Sequence, residues 1–240
     1  MRMAAFLENI TPFRGTGNKN EKGQGLEEFL EEYDPYKYKN PCVTTDAVVF
    51  SWLDKGEKSK GPNPDSVWKV LMIRRGNHPC IGWWALPGGF INLRENLRDT
   101  AKRELMEETG VDDLPMEQIA VYGNADRDPR ARVITSACMS VVEETKVTVH
   151  AGDDADAALW CEIFCESGAW ETAEDGGRKR SHFLRLENKA YELELTAVVE
   201  EDLKGDIVQE RDFRVRETNQ IACDHAAIIV QAWLILKSRL

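Results

Sequence analysis

Apolar and polar positions follow two different periods along this chain. Runs rich in β-branched and aromatic residues, such as TTDAVVFSW at 44–52, predict buried strands. The same reasoning predicts further strands at 67–73, 119–122, 133–142 and 158–163. A helical period appears at 95–109, just before Gly110, and again at 224–240. Strands that enclose one strongly patterned helix, with a second helix near residue 240, predict an α/β sandwich.

Two segments differ in pattern from this core. Residues 1–40 contain a Gly-rich linker and a short amphipathic helix near Leu26, which predicts an N-terminal extension before a main domain at 41–240. Residues 166–218 alternate apolar and polar positions, as in YELEL and FRVR. This alternation predicts half-exposed strands in a β-rich insertion. We expect the insertion to form a β-hairpin that covers the site or pairs with a second subunit.

The charge and cysteine content exclude several classes of function. The 240 residues include 31 Lys and Arg against 42 Asp and Glu, for a net charge of −11. This charge opposes binding to nucleic acid or to an anionic membrane, and it favours divalent cations. No apolar run approaches the roughly 20 residues that span a bilayer. The six scattered cysteines predict reduced thiols in a cytoplasmic protein.

Three carboxylates share one face of the helix predicted at 95–109, those of Glu104, Glu107 and Glu108. On a helical projection Glu107 and Glu108 lie about 300° and about 40° from Glu104, beside the apolar positions. We therefore expect all three to point inward. Like charges at this spacing repel each other, and Arg103 alone cannot neutralise three acids. A divalent cation with oxygen ligands is the simplest compensation, whereas a solvated acidic face is the alternative.

A turn of Pro87, Gly88 and Gly89 lies just upstream of this helix. Glycine allows the backbone to approach a ligand closely, and the N–H groups at a helix N-terminus attract phosphate. Beside the acidic face, this turn predicts the rim of a metal–phosphate site.

The residues from Gly89 onward carry a family resemblance. They read GFINLRENLRDTAKRELMEETGV, which fits the Nudix box G-x5-E-x7-R-E-U-x-E-E-x-G-U (U, apolar) at every defined position. The chain thus resembles the Nudix hydrolase superfamily. Its flanks resemble bacterial ADP-ribose pyrophosphatases and, at least as closely, the ADP-ribose-binding Nudix domains of transcriptional regulators. The resemblance implies a Nudix α/β/α sandwich with a mixed β-sheet.

The resemblance also implies an activity and a cofactor. Nudix hydrolases use Mg²⁺ or Mn²⁺ to cleave a nucleoside diphosphate linked to another moiety. The resemblance implies that the substrate of this chain is ADP-ribose and that the products are AMP and ribose 5-phosphate. Glu107, Glu108 and the Gly88 carbonyl would be metal ligands. Glu104 would bind metal or orient the attacking water.

Other box positions receive supporting roles from the same resemblance. Arg103 would hold the carboxylates in place by ion pairing, and Glu95 would support the site at the start of the helix. A later acidic residue often assists as the base in this family. The candidates, among which the sequence does not choose, are Asp153, Asp154 and Asp156.

The segment DRDPRARV supplies candidates for substrate binding. Its three arginines, Arg127, Arg130 and Arg132, suit contacts to a phosphate or to the terminal ribose, because guanidinium groups match phosphate oxygens. A solvated turn is an equally weighted alternative. Gly89 is a further candidate at the rim of the site. Pro129 lies further past the box than the proline typical of ADP-ribose hydrolases, which leaves the substrate open.

Two other functions stay open. The first is an ADP-ribose-sensing transcriptional regulator of Nudix fold, which the sequence opposes because no winged helix follows the last predicted helix. The second is a Nudix hydrolase for another nucleotide sugar or a dinucleotide. For each enzymatic reading we expect a small nucleoside diphosphate substrate, no nucleic acid and no membrane. The resemblance further implies a homodimer that exchanges its N-terminal segments.

Overall fold

The computed structural model of the protein describes residues 6–53, 61–152 and 155–240. The chain divides into two compact units, Met1–Pro41 and Cys42–Leu240. The described part of the first unit contains one short α-helix, α1 (Leu26–Glu32), at the predicted position. The side chain of Glu28 accepts a hydrogen bond from the Gly25 N–H at 2.9 Å, which caps the first turn.

The described part of the second unit contains eleven strands and two α-helices. In chain order they are β1 (Cys42–Leu53), β2 (Val67–Arg75), β3 (Trp84–Ala85), β4 (Gly88–Phe90), α2 (Leu97–Thr109), β5 (Glu117–Tyr122), β6 (Val133–Glu143), β7 (Ala155–Ser167), β8 (Glu171–Thr172), β9 (Arg178–Asn188), β10 (Leu193–Lys204), β11 (Glu210–Asn219) and α3 (His225–Lys237). Each strand predicted from the sequence is present. The described helices include none that is long and apolar enough to cross a membrane.

All eleven strands belong to one mixed sheet. Its main path has the order β11-β10-β9-β7-β2-β1-β6-β5, and the short strands β3, β4 and β8 pair with β2, β1 and β9. Strands β1 and β6 run parallel, whereas the other neighbours on the path run antiparallel. The sheet therefore combines a parallel centre with antiparallel flanks.

The insertion at 166–218 continues this sheet. Burial alternates along β10 as the sequence pattern predicts. The predicted β-hairpin is present as β9 and β10, and β11 adds a third antiparallel strand that the sequence did not predict as part of it. Strand β9 pairs with the second half of β7 from Glu162 to Ser167, so β7 joins the insertion to the rest of the sheet.

The two helices of the second unit cover opposite faces of the sheet. Ala47 and Val49 of β1 pack in one cluster with Leu105 of α2. Their neighbours on the strand point the other way, and Phe50 packs against Trp233 of α3 with ring centroids 5.7 Å apart. This alternation is the two-residue period of a strand that is buried on both faces. The predicted α/β/α sandwich is confirmed.

The two ends of α2 agree with the sequence prediction to different degrees. The predicted C-terminal signal is confirmed, since Gly110 adopts a φ of 70° and donates its N–H to the Met106 carbonyl at 2.9 Å. The helix begins at Leu97 rather than at the predicted Glu95. Glu95 instead lies in the preceding turn, where its side chain accepts a hydrogen bond from the Thr100 hydroxyl at 2.9 Å.

A buried ionic network stabilises the outer strands of the sheet. Glu201 of β10 and His182 of β9 are both fully buried, with 2.8 Å between Oε2 and Nε2. Arg180 donates to the same oxygen at 2.7 Å, and Arg211 Nε lies 2.6 Å from Oε1. Burial alone would raise the pKa of Glu201, but the hydrogen bonds from His182 and Arg180 lower this pKa below its usual range.

We predict that Glu201→Ala lowers the free energy of unfolding by about 3–5 kcal/mol, because it leaves buried polar partners without their carboxylate. Urea denaturation at neutral pH measures the effect. Glu194→Ala is the matched control, since Glu194 is an exposed acid on the same strand and should cost less than about 0.5 kcal/mol. Equal stability of the two variants would contradict a structural role for the network.

Candidate active site

A cavity of about 660 Å³ lies where β4 and α2 meet the turn after β5 and the residues before α3. The segments that line it are distant in sequence, and its lining is strongly charged. The acidic residues are Asp46, Glu104, Glu108, Asp128 and Asp156. The basic residues are Arg75, Arg103, Arg127 and Arg130.

Arg103 is the centre of the hydrogen bonds around α2. Its Nε and Nη2 donate to the two carboxylate oxygens of Glu95 at 2.9 and 3.0 Å. Its Nη1 donates to Glu104 at 2.7 Å and to Glu107 at 2.9 Å, and Nη2 also reaches the Phe90 carbonyl at 3.1 Å. The hydrogen bond from Arg103 lowers the pKa of Glu95 to about 2. One guanidinium thus joins the turn before the helix to two of its carboxylates.

Glu108 lies beyond the reach of these hydrogen bonds. Its Oε2 accepts the Gly88 N–H at 2.9 Å. Burial raises the pKa of Glu108 to about 8, and the negative charges of Glu104 and Asp46 act in the same direction. Burial also raises the pKa of Glu104, although Arg103 opposes this shift. Two carboxylates that resist ionisation therefore face one cavity, which is an arrangement that a bound cation would relieve.

Glu107 does not share this environment. Its side chain is 53% exposed, against 15% for Glu104, and it does not line the cavity. The prediction that all three acids point inward is right for Glu104 and Glu108 and wrong for Glu107. On the helical projection the apolar positions Leu97 and Leu105 lie at about 20° and about 100° from Glu104, so Glu107 at about 300° is the acid furthest from them. Within the described ranges, no three His, Cys, Asp or Glu side chains form a ready-made metal site.

The two glycines of β4, for which the sequence predicts a close approach to a ligand, lie close to other groups of the protein. A Cβ on Gly88 would lie 2.1 Å from the Thr45 carbonyl oxygen of β1. A Cβ on Gly89 would lie 2.5 Å from the carboxyl carbon of Glu104. Gly88 therefore permits the pairing of β4 with β1, and Gly89 leaves room for the Glu104 carboxylate.

Arg127 is the most enclosed of the three candidate arginines. It binds Asp224 through two hydrogen bonds of 2.8 and 2.9 Å, and its Nη2 lies 3.7 Å from Asp46. Burial lowers the pKa of Arg127, but the pairing with Asp224 outweighs burial and leaves the pKa raised. This arginine is thus a fixed, charged part of the cavity wall.

The other two arginines occupy different positions. Arg130 lines the cavity, pairs with Asp128 at 2.8 Å and lies over the Phe90 ring at 5.4 Å. Arg132 does not line the cavity. Its guanidinium donates instead to the Gly123 carbonyl at 2.6 Å and to the Asn124 carbonyl at 3.2 Å. The structure therefore brings Arg127 and Arg130, but not Arg132, to the same cavity as Glu104 and Glu108.

Of the three candidates for the catalytic base, one can be located. Asp156 lines the cavity, and its Oδ2 lies 3.7 Å from Arg74 Nε. Asp153 and Asp154 lie outside the described residues. The segment just before them is attached to the end of α2, since the Gly152 N–H donates to the Glu108 carbonyl at 2.9 Å.

Several residues that line or support the site were not predicted from the sequence, and Asp46, Asp224 and His225 are three of them. Asp46 accepts a hydrogen bond from the Thr135 hydroxyl at 2.7 Å, and Asp224 holds Arg127. His225 lines the cavity and accepts the Leu86 N–H at Nδ1, 2.9 Å away. A single Asp inside the apolar run TTDAVVF was the one available signal, because a buried charge requires partners.

Sequence comparisons agree with this geometry. Residues 57–166 match the family described as NUDIX domain. The ADPR responsive transcriptional repressor NtrR of Acinetobacter baylyi is 40% identical over 109 residues, which cover 45% of this chain and 39% of that protein. The ADP-ribose pyrophosphatase of Methanocaldococcus jannaschii is 32% identical over 126 residues, which cover 52% and 64%. The chain thus spans less than two thirds of the length of either curated relative.

A structural comparison extends the similarity beyond the box. The crystal structure of a MutT/nudix family protein from Enterococcus faecalis superposes with a TM-score of 0.64 at 28% identity. The superposition covers 91% of this chain and 71% of that chain. The family match, these relatives and the shared fold lead to one conclusion: residues 57–166 of the chain belong to a Nudix domain.

Proposed function

We propose that this protein is a metal-dependent pyrophosphohydrolase that cleaves ADP-ribose, a nucleoside diphosphate derivative, to AMP and ribose 5-phosphate. The observation that carries the proposal is the position of the buried Glu104 and Glu108 in the same cavity as Arg127 and Arg130. Two relatives with different roles, a pyrophosphatase and a repressor, share ADP-ribose in their names, which supports this ligand.

The charge of the cavity supports a divalent cation. Five acidic residues line it against four arginines, and three of these arginines already pair with carboxylates: Arg103, Arg127 and Arg130. A diphosphate would be repelled unless cations were added, and oxygen ligands suit Mg²⁺ or Mn²⁺. We assign Glu104, Glu108 and the Gly88 carbonyl as protein ligands, with Glu107 at the rim. Water and substrate phosphate would complete the coordination.

Each residue of the proposed site then has a separate role. A bound cation would neutralise the diphosphate and lower the pKa of a water molecule. Arg103 donates a hydrogen bond to Oε1 of Glu104, which leaves Oε2 of Glu104 to orient that water molecule or accept its proton. Asp156, which also lines the cavity, is the alternative proton acceptor. Arg127, fixed by its pair with Asp224, is positioned to bind a phosphate oxygen. Arg130 reaches the cavity from the exposed side, beside Phe90.

Oligomeric state belongs to the same proposal. We expect a homodimer in which the N-terminal segments are exchanged, as the family resemblance implies. Sedimentation velocity on the full chain and on a variant that lacks residues 1–40 tests this expectation. A full chain that sediments as a monomer would contradict it.

A second candidate function is ADP-ribose sensing. The observation that favours it is the higher identity to the NtrR repressor, 40% against 32% for the pyrophosphatase. Calorimetry with ADP-ribose, combined with chromatography of the products, separates the two functions. Binding with no release of AMP in the presence of Mg²⁺ or Mn²⁺ would favour sensing. A panel of nucleotide sugars and dinucleotides then tests the choice of substrate.

We predict that Glu108→Gln lowers kcat/KM for AMP release at least about 100-fold, because it removes a proposed metal ligand. The fold should persist, since a carboxyl with a pKa of about 8 is already largely protonated at neutral pH and glutamine has the same shape. Asp99→Asn, an exposed acid on the same helix, is the control and should leave kcat/KM unchanged. Full activity of Glu108→Gln would refute the metal assignment.

We predict that Gly89→Ala preserves the fold but lowers kcat about 100-fold, because the new Cβ displaces the Glu104 carboxylate by a distance of the order of 1 Å. Steady-state kinetics and thermal unfolding measure the two effects. Gly123→Ala is the matched control, since its nearest neighbour would be 3.9 Å from the new Cβ. A variant at residue 89 with unchanged kcat would show that the position of Glu104 is not critical.

A further inference from the structure

Two thiols meet at the rim of the cavity, outside the acidic cluster. Cys80 lies in the loop between β2 and β3, and Cys223 lies just before α3 and lines the cavity. Their Sγ atoms are 3.9 Å apart, although the residues are 143 positions apart in sequence. Both side chains are partly buried, and every described cysteine of the chain is a free thiol.

The backbone brings the two thiols together. Trp84 of β3 donates its N–H to the Gln220 carbonyl at 2.8 Å, and the Ala222 N–H donates back to the Trp84 carbonyl at 2.8 Å. The two segments are therefore joined next to the cysteines. Cys80 and Cys223 have φ angles of 58° and 47°, which lie in a region that residues other than glycine seldom occupy. Such backbone conformations persist where the surrounding structure enforces them, often at functional positions.

We propose that Cys80 and Cys223 form a reversible disulfide, so that the cavity rim contains an oxidation site. A disulfide needs the two sulfurs about 2 Å apart, so they must approach each other by about 2 Å. Rotation about the Cα–Cβ bonds can supply this movement, because the two backbones are already held side by side.

Hydrogen peroxide is the class of oxidant that completes the reaction. The Cys80 thiolate attacks one peroxide oxygen, which breaks the O–O bond and yields a sulfenic acid and, after protonation, water. The Cys223 sulfur then attacks the sulfenic sulfur, loses its proton and releases a second water. Two thiols and one peroxide thus give one disulfide and two waters. Burial raises the pKa of Cys223 to about 12, which is why we assign the first attack to Cys80.

The bond would connect two parts of the cavity wall. Residues 76–79 line the cavity on the Cys80 side, and Cys223 is followed directly by Asp224, the partner of Arg127. Oxidation would tie these parts together, whereas reduction would leave them joined only by hydrogen bonds. The proposed disulfide therefore links the redox state of the surroundings to the rim of the site, whatever ligand the cavity binds.

The test treats the reduced full chain with increasing hydrogen peroxide, followed by alkylation, intact-mass measurement and peptide mapping. We expect a single chain that carries four alkyl groups where the fully reduced chain carries six, with the peptides of Cys80 and Cys223 linked, and full reversal by dithiothreitol. The oxidised protein should also unfold at a higher temperature, because a cross-link across 143 residues restricts the unfolded chain.

Three cysteine variants complete the test. Cys80→Ser and Cys223→Ser should each abolish both the mass change and the thermal shift. Cys165→Ser, which replaces another partly buried thiol, should retain both. The proposal is overturned if Cys80 and Cys223 are recovered separately alkylated or as higher oxides, or if the only disulfide joins two chains through the exposed Cys42. Because mapping of the wild-type protein decides these outcomes, a variant that fails to fold does not obscure them.

Discussion

The contact on which the site depends is the fork of hydrogen bonds made by Arg103. Four acceptors converge on this guanidinium: the carboxylates of Glu95, Glu104 and Glu107 and the carbonyl of Phe90. Without it, the acids of α2 would repel one another at i,i+3 spacing. The planar fork suits this task because it directs several N–H groups at once, whereas a lysine offers only a point charge. Arg103 therefore fixes the turn after β4 and the face of α2 in one geometry.

The same fork divides the acids into two classes. Glu95 and Glu107 already have a cationic partner, and the pKa of Glu95 falls to about 2 as a result. Among the described residues, only the Gly88 N–H donates a hydrogen bond to the Glu108 side chain, and burial raises the pKa of Glu108 to about 8. Glu104 lies between the two classes, since it pairs with Arg103 and still faces the cavity. The proposed cation would therefore relieve the inner pair, Glu104 and Glu108, rather than all the acids of the box.

Local features of the site could be predicted from sequence because they depend on residues within two helical turns. The end of α2 at Gly110 and the inward positions of Glu104 and Glu108 follow from local spacing, whereas the contact of Gly89 in β4 with Glu104 was not predicted. Arg127 and Arg132 look alike in DRDPRARV, and only the fold separates them, since Asp224 lies 97 positions from Arg127. The alternation in 166–218 predicts strands, but not that β9 pairs with β7, because strand pairing depends on the whole sheet.

The insertion is nevertheless connected to the wall of the cavity through β7 and β11. Strand β7 begins beside Asp156 and continues into the pairing with β9, so one strand spans both regions. At the far edge of the sheet, β11 is followed by Ile221, which forms a β-bridge with Trp84. The chain then continues through Cys223 and Asp224 into α3. The buried Glu201 network therefore stabilises the strands that return Asp224 to Arg127. A defect in these outer strands should loosen the cavity wall even though none of their residues lines it.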